Sequence, residues 1–497
     1  MSYPPTDEQR AAMEIAATGA SCVIQALAGS GKTSTLRMIA EAQPGRRYQF
    51  VAFNKAIVSD VQGSFPSNVA CSTAHSLAYR NIGTKYAHRL KQGRMRSDEI
   101  ARRLRVDRLE FNVLGTKKVL AAGFLGGLIK RSVDLFCQTD DPEPTTAHVP
   151  FVPGLDEPRI IPADSPGGMP IVINRKGPNH AALTLALEPA MKRYWADVMD
   201  VNGVLPYSHG CYLKQWELDD PIISTDTILF DEGQDASPVM LSIVSQQDAQ
   251  LILVGDSYQS IYGWTGAIDA LERADPEAPR TWLTRSFRFG PEIAEQANVV
   301  LASLGAPVSV EGSGPAGTVG PLESPDTILF RTNAKAVATA LQELRAGKRV
   351  ALVGGAEDVV AFARAAEQLK DSGRCYHPEL QCFTSWGEVQ DYVSFDPNGS
   401  ELKLLVDLVD EFGADVIQAE MQRCTDEARA EVVLSTAHKS KGREWAGVQL
   451  AGDFPDPENR EVSDEDKRLL YVAATRAKLA LDVESVGFFN PKKGVNV

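Results

Sequence analysis

Two parallel α/β sheets in series, each interrupted by an insertion, are the fold class that this 497-residue sequence predicts. Three observations carry that reading. Short apolar runs ending in polar or glycine-rich turns recur along the chain, helical spacing fills the gaps between several of them, and two long intervals break the rhythm. The first set of runs is Cys22 to Ala26, Gln49 to Phe53, Thr227 to Phe230 and Leu251 to Val254. The second is Thr327 to Phe330, Val350 to Val353, Val432 to Ser435, Val448 to Leu450 and Leu479 to Val483.

Composition sets outer limits. The length suits about three domains, and 43% hydrophobic with 23% charged residues is ordinary for a globular chain. No apolar run reaches the roughly 20 residues that span a bilayer, so no membrane partner is expected. Pro4, Pro5, Asp7 and Glu8 do not make a basic, apolar leader, so the protein is expected to stay where it is made. Seven cysteines with no Cys-x-x-Cys argue against a disulfide framework or a standard zinc site and fit a reducing compartment. The one local cluster, Cys375, His377 and Cys382, reads as unrelated residues rather than a metal site.

The first strand feeds Ala26-Leu27-Ala28-Gly29-Ser30-Gly31-Lys32-Thr33, and Gly31 opens a segment with helical spacing through Leu36, Ile39 and Ala40. Backbone N–H groups of such a turn cradle phosphates, a lysine at Lys32 reaches the β- and γ-phosphates, and the Thr33 hydroxyl suits Mg²⁺. ATP and Mg²⁺ are therefore the expected cofactors. A small-residue turn also joins strand to helix without any ligand, so its partners along the chain decide the matter.

The interval from 84 to 205 leaves the pattern. Its first half reads as basic and helical, and Asp140 to Asn179, rich in Pro, Gly and Asp, reads as an extended or partly disordered insertion. The chain carries a formal charge of −14, yet Lys85, Arg89, Lys91, Arg94, Arg96, Arg102, Arg103 and Arg105 gather between Arg80 and Arg108. Such a run either contacts phosphates or forms a solvated helix pair.

The third strand ends in Ile228-Leu-Phe-Asp231-Glu232-Gly-Gln-Asp235. Adjacent carboxylates there give Asp231 to Mg²⁺ and Glu232 to the attacking water. The fourth runs into Val254-Gly-Asp-Ser-Tyr-Gln259-Ser-Ile-Tyr262-Gly-Trp264-Thr-Gly-Ala267, where Gln259 can sense a γ-phosphate. Tyr262 and Trp264 offer flat faces on which bases stack, or else fill a core between domains. The second interruption, 372 to 428, has helical spacing at Leu402, Leu405, Val406 and Val409.

At this point the sequence resembles the superfamily 1 helicases, in the branch of the bacterial repair helicases UvrD, Rep and PcrA. Gln9 in Pro5-Thr-Asp-Glu-Gln9, Asp-Glu-Gly-Gln-Asp, Gly-Asp-Ser-Tyr-Gln-Ser-Ile-Tyr-Gly-Trp, Ser286-Phe287-Arg288, Thr436-Ala-His438-Lys-Ser-Lys-Gly-Arg-Glu444-Trp445 and Arg468-Leu-Leu-Tyr-Val-Ala-Ala-Thr-Arg476 follow in the family's order. Phe53-Asn54-Lys-Ala56, Thr73-Ala-His75-Ser-Leu-Ala-Tyr79, Tyr212-Leu-Lys214, Ser286-Phe-Arg-Phe-Gly290 and Arg331-Thr-Asn333 are most similar to the helicase region of F-box DNA helicases and their viral or bacterial relatives. No F-box segment precedes residue 1, so ubiquitin-ligase work is not expected. Thr265 stands in place of a common arginine, and the interval before Val432 is short for a large second accessory domain, which puts translocation ahead of processive unwinding.

The resemblance implies two tandem RecA-like P-loop domains. Residues 1–83 and 206–290 would form the first, around a mainly helical accessory insertion at 84–205. Residues 291–371 and 429–497 would form the second, around a reduced insertion at 372–428. Gln9, Phe287 and Glu444 would read adenine and ribose, and Arg288 and Arg476 would complete the catalytic set of Lys32, Asp231, Glu232 and Gln259. Asn54, His75, Tyr262, Trp264 and His438 would touch DNA. The implied activity is an ATP-driven motor on single-stranded DNA or a tailed duplex, running 3′ to 5′. It would act as a monomer in the cytoplasm, near the nucleoid or in a host, with loading, repair or replication proteins as partners. An ATP-dependent switch that clamps nucleic acid without moving is the alternative, and RNA as the track is disfavoured by resemblance alone.

Overall fold

The computed structural model describes residues 4–490 apart from 53–54, 94, 114, 153, 157–158, 162–170, 174–175, 264–265, 376, 378, 381–382, 384, 395–400 and 459–460. Its first sheet has six parallel strands in the spatial order Arg280–Leu283, Cys22–Ala26, Gln250–Gly255, Thr227–Phe230, Tyr48–Ala52 and Val69–Thr73. The second also has six, ordered Thr318–Val319, Ala477–Asp482, Trp445–Leu450, Thr327–Phe330, Val432–Thr436 and Val350–Leu352, and is likewise parallel. These are the two RecA-like sheets the resemblance implied.

Within these two sheets, all three strands beyond the expected runs lie at an edge. Val69–Thr73 is half-buried and carries Ala70 and Ser72, Arg280–Leu283 opens on an exposed arginine, and Thr318–Val319 is two residues long. An edge strand buries less, so its apolar signature is weak.

Alternation sends the first sheet's side chains to two cores. Ile24, Ala26, Phe50, Leu229, Ile252 and Val254 face Ala12 and Ala16 of the Asp7–Ala17 helix and Leu36 and Ile39 of the Lys32–Ala42 helix. Val23, Val51, Ile228, Phe230 and Leu253 face the other way, into a core continuous with Leu125, Leu128 and Ile129 of the Ala122–Phe136 helix and Leu183, Leu187 and Met191 of the Pro178–Met199 helix. The insertion thus shares its core with the sheet it interrupts.

Within that insertion, Leu109–Val113 and Thr116–Leu120 form an antiparallel hairpin where the basic half was read as helical. Leu109 and Phe111 pack on the shared core, and Gly115 at φ +78° makes the turn. A second ribbon pairs Arg159–Ile161 with Ile171–Ile173 inside the stretch expected to be extended or disordered.

Part of the basic run is self-paired. Arg96 bonds Asp98 at 3.0 Å, Arg102 and Arg103 both bond Glu99, and Arg108 reaches Glu110 at 3.4 Å. Arg89 is buried, with Asp197 Oδ1 at 2.8 Å and the carbonyls of Asp197, Asp200 and Leu205 as further acceptors. It plugs the end of the Pro178–Met199 helix, with its side chain out of contact with solvent.

In the second half, Trp386–Ser394, Glu401–Phe412 and Ala414–Met421 are helices whose apolar faces join those of Asn333–Arg345 and Glu357–Ser372. Cys375 is buried, Cys382 lies outside the described residues, and no metal-binding group occurs among those described.

Candidate active site and nucleic-acid interface

One cavity of about 780 Å³ lies at the C-terminal ends of the first sheet's strands, where Gly29 to Thr33 and Glu232 line it with Arg288 beside Gly29. It is faced by Lys441 to Glu444 and by Arg476, which stand just before the Trp445–Leu450 and Ala477–Asp482 strands of the second sheet. The volume lies within the roughly 300–1,000 Å³ range of small-molecule sites.

On the first-domain side, Ala26 ends its strand, Leu27 and Ala28 are fully buried, and Gly29 and Gly31 adopt φ of +75° and +81°. A Cβ on Gly29 would stand 2.5 Å from Ser286 Oγ and 2.8 Å from Arg288 Cβ, so glycine is required by contact as well as by φ. The loop is held from behind: Ala28 N–H donates to Tyr471 Oη at 3.1 Å, and Phe287 N–H to the Gly29 carbonyl at 2.9 Å. Ser30 lines the cavity and is buried.

Lys32 opens the helix, and its Nζ lies 2.9 Å from Glu232 Oε1. Thr33 Oγ1 donates to Asp231 Oδ2 at 3.4 Å. Glu232 sits in the left-handed region at φ 54°, a strained setting for a non-glycine residue that aims its carboxylate at Lys32. Gln234 Nε2 holds the other carboxylate oxygen at 2.5 Å.

Electrostatics separates the paired acids. Burial drives Asp231 up to about 7, reinforced by the charge of Glu232 and opposed by Lys32. Burial also acts to raise Glu232, but Lys32 and Lys441 overcome it and bring the carboxyl down to about 2. For Lys32, burial works against the ammonium, while Glu232, Asp231 and Asp256 outweigh it and raise its pKa. Asp235 and Asp256 are each pushed up to about 6, first by burial. Thr33 and Asp231 offer hard oxygen donors side by side, a set that fits Mg²⁺.

Gln259 stands on the Ser257–Gln259 turn, its amide N–H donating to Asp256 Oδ2 at 2.6 Å. Its Oε1 accepts from Arg476 Nη2 at 3.1 Å, which joins the first domain to the second. Arg476 follows the Asp464–Ala474 helix, is 2% exposed, and donates from Nε to the Val472 carbonyl at 2.8 Å. Burial, then the charge of Arg288, lowers its pKa to about 9. Arg288 bonds Glu444 Oε2 at 2.9 Å and the Thr475 carbonyl at 3.0 Å. Lys478 shares Glu444 at 3.1 Å.

Gln9 and Phe287 flank Gly31: a Cβ there would lie 3.4 Å from Gln9 Nε2 and 3.8 Å from the Phe287 ring. Gln9 completes a capping box with Thr6 and donates to Thr35 Oγ1 at 3.1 Å. Phe287 is 48% exposed, with Arg285 6.0 Å from its ring centroid.

The expected strand-binding residues do not form one cluster. Tyr262 Oη donates to the His438 carbonyl at 3.1 Å, with the two rings 6.4 Å apart, so this pair spans the domains. Burial lowers the His438 pKa first, and Arg331 adds to that. His75 lies elsewhere, on the Ala74–Asn81 helix after the edge strand, packed edge-on to Tyr212 at 6.2 Å. Asn54 and Trp264 lie outside the described residues.

Four participants were missing from the expected set. Lys441 bonds Asp235 at 2.6 Å, donates to the Gln259 carbonyl at 2.7 Å and stands 5.4 Å from the Tyr262 ring centroid. Asp235, Asp256 and Tyr471 complete the network. Each lies inside a motif already quoted, but only the fold shows that they meet.

Residues 9–265, just over half of the chain, match the family described as an AAA domain, and residues 388–485 match the UvrD-like helicase C-terminal domain. The F-box DNA helicase protein 1 of Schizosaccharomyces pombe is 29% identical over 96% of this chain and 57% of its own length. The F-box DNA helicase 1 of Gallus gallus is 27% identical over 92% of this chain and 46% of its own. The ATP-dependent DNA helicase UvrD2 of Mycobacterium tuberculosis is 26% identical over 50% of this chain and 46% of its own. The chain thus spans about half the length of the curated relatives it matches.

Proposed function

We propose that this chain, which belongs to the UvrD-like branch of the superfamily 1 helicases, is an ATP-driven motor that steps 3′ to 5′ along single-stranded DNA. One observation carries the reading: Arg476 Nη2 meets Gln259 Oε1 at 3.1 Å across the two domains, beside the cavity that holds Lys32 and Glu232. Nucleotide state and domain closure then act on the same atoms.

Lys32 exchanges Glu232 for phosphate oxygens, and Glu232, ionised through the working pH range, takes the proton of the attacking water. Thr33 and Asp231 would hold Mg²⁺, which when bound would supply positive charge at the phosphates. Arg288 and Arg476 meet the transferring phosphoryl group, where an arginine finger is worth roughly 10³–10⁵ in rate. Gln9 and Phe287 receive the base, and Glu444 the ribose. Closure moves His438 against Tyr262, and with Asn54, His75 and Trp264 these residues grip and release the strand. Loading, repair or replication proteins would direct the motor to single-stranded DNA or to a tailed duplex.

Strand displacement on duplexes with 3′ or 5′ single-stranded tails tests the polarity. Displacement from 3′ tails alone supports the reading; displacement from 5′ tails alone overturns the direction. A length series of single strands tests movement itself, since the dissociation lag of a motor grows with strand length and that of a stationary clamp does not. ATPase stimulation by RNA equal to that by DNA would change the assigned track.

A further inference from the structure

Lys478 lines the ATP cavity from the start of the Ala477–Asp482 strand. That strand lies beside Trp445–Leu450 with Ala477 opposite Trp445, and Trp445 N–H donates to the Arg476 carbonyl at 3.1 Å. The pairing brings Lys478 to the residue before Trp445. Its Nζ stands 3.1 Å from Glu444 Oε1.

Glu444 therefore serves two cations at once. Arg288 Nε holds the other carboxylate oxygen, Oε2, at 2.9 Å, and Arg288 Nη1 donates to the Thr475 carbonyl at 3.0 Å. The backbone of Arg288, however, is fixed to the first domain, with its Cβ packed against Gly29 and the Phe287 N–H bonded to the Gly29 carbonyl. In the nucleotide-free protein the guanidinium thus reaches across the joint and is occupied by a carboxylate of the second domain.

Bringing Arg288 to a phosphate means opening that pair, which takes a counter-ion from a partly buried carboxylate. Burial acts to raise the Glu444 pKa, but Lys478 and Arg288 outweigh it and lower it, so the group stays charged and needs a cation. Lys478 is the cation that can remain. Its compact ammonium occupies Oε1 on a flexible stem and does not compete for Oε2.

We propose that Lys478 is a positioning residue that lets Arg288 leave Glu444 for the γ-phosphate, by keeping the carboxylate neutralised and in place for the ribose while the guanidinium moves. This role rests on the reading that Arg288 meets the transferring phosphoryl group. Lys478 acts through Glu444 and touches no reacting atom. Without it, the Glu444–Arg288 pair tightens, and a γ-phosphate recruits Arg288 only by stranding a charge.

The test uses the intact protein without DNA, so movement along a strand does not enter it. Calorimetry gives the affinities for ADP and for the non-hydrolysable β,γ-imido analogue of ATP, and the readout is the gain in affinity of the triphosphate over the diphosphate. Phosphate release gives kcat and KM for ATP. Lys478→Met should shrink the gain roughly fivefold, and should lower kcat by more than it raises KM. Lys478→Arg should bring both back to within about twofold of the unsubstituted protein. In a Glu444→Gln background no carboxylate detains Arg288, so adding Lys478→Met should leave the gain as it is in Glu444→Gln alone. Neither a damaged fold nor a direct bond from Lys478 to phosphate would give that result. The proposal is overturned if Lys478→Met keeps the full gain, if Lys478→Arg fails to rescue it, or if the loss persists in the Glu444→Gln background. Arg288→Ala separates the two levels of the reading. If it keeps the gain, Arg288 does not meet the γ-phosphate and the underlying reading falls; if it loses the gain while Lys478→Met keeps it, only the role of Lys478 falls.

Discussion

At the scale of single residues, the site is a set of charges held out of water. Asp256, pushed up to about 6, and Asp231, up to about 7, have folded pKa values above those of an unfolded aspartate. Their stabilising contribution is therefore full below pH 4 and is lost as pH rises through 6 and 7. Glu232, held near 2, titrates below that window and adds no slope to it. The nucleotide-free protein should thus melt at lower temperature at pH 8 than at pH 5, with Asp256 contributing on the order of 1 kcal/mol to the difference. Asp256→Asn should flatten the profile measured by thermal shift; an unchanged slope would reject Asp256 as a source. Arg476→Lys should keep ATP binding within roughly threefold and cut turnover by about 10³-fold, read by nucleotide fluorescence and phosphate release. The sequence showed these side chains through short motifs, since P-loop chemistry needs fixed residue types at fixed spacing. It hid Tyr471, whose apolar helix gives no sign that its hydroxyl receives Ala28 N–H from 443 positions away.

Among the elements, turns carry the tightest constraints. Gly29 combines φ +75° with Ser286 Oγ only 2.5 Å from the point a methyl group would occupy, so Gly29→Ala must push the Ser286–Arg288 segment off the P-loop. Expected results are a lower melting temperature and a loss of ATP affinity. Gly45→Ala, where a Cβ meets nothing within 4 Å, should change neither. Central strands were legible as apolar runs because both faces are buried: Thr227–Phe230 is buried at all four positions. The hairpin at Leu109–Leu120 was not, because its alternating pattern directly follows a basic stretch and buries only one side lightly. Pairing across a turn is non-local information, which a run of charges masks.

For the whole molecule, the joint between domains is the functional element. Lys441 crosses it to Asp235 and to the Gln259 carbonyl, and is 10% exposed at its side chain. Lys441→Met leaves Asp235 buried without its partner and breaks the link to the Gln259 turn. ATP affinity should persist while DNA-stimulated turnover falls at least about tenfold, with a double-mutant cycle against Asp235→Asn recovering a coupling of roughly 1–3 kcal/mol. Independent, additive effects would show that the pair does not connect the domains. The two-sheet order was readable from the sequence, but the contact between the domains was not, because each of its pairs joins residues far apart in the chain. The core common to the first sheet and the 84–205 insertion also limits how the protein can be rebuilt. Trimming that insertion to obtain a smaller protein would strip the cover from Val23, Val51 and Phe230 and leave one face of the sheet wet. The insertion is a wall of the first domain, not an accessory attached to it.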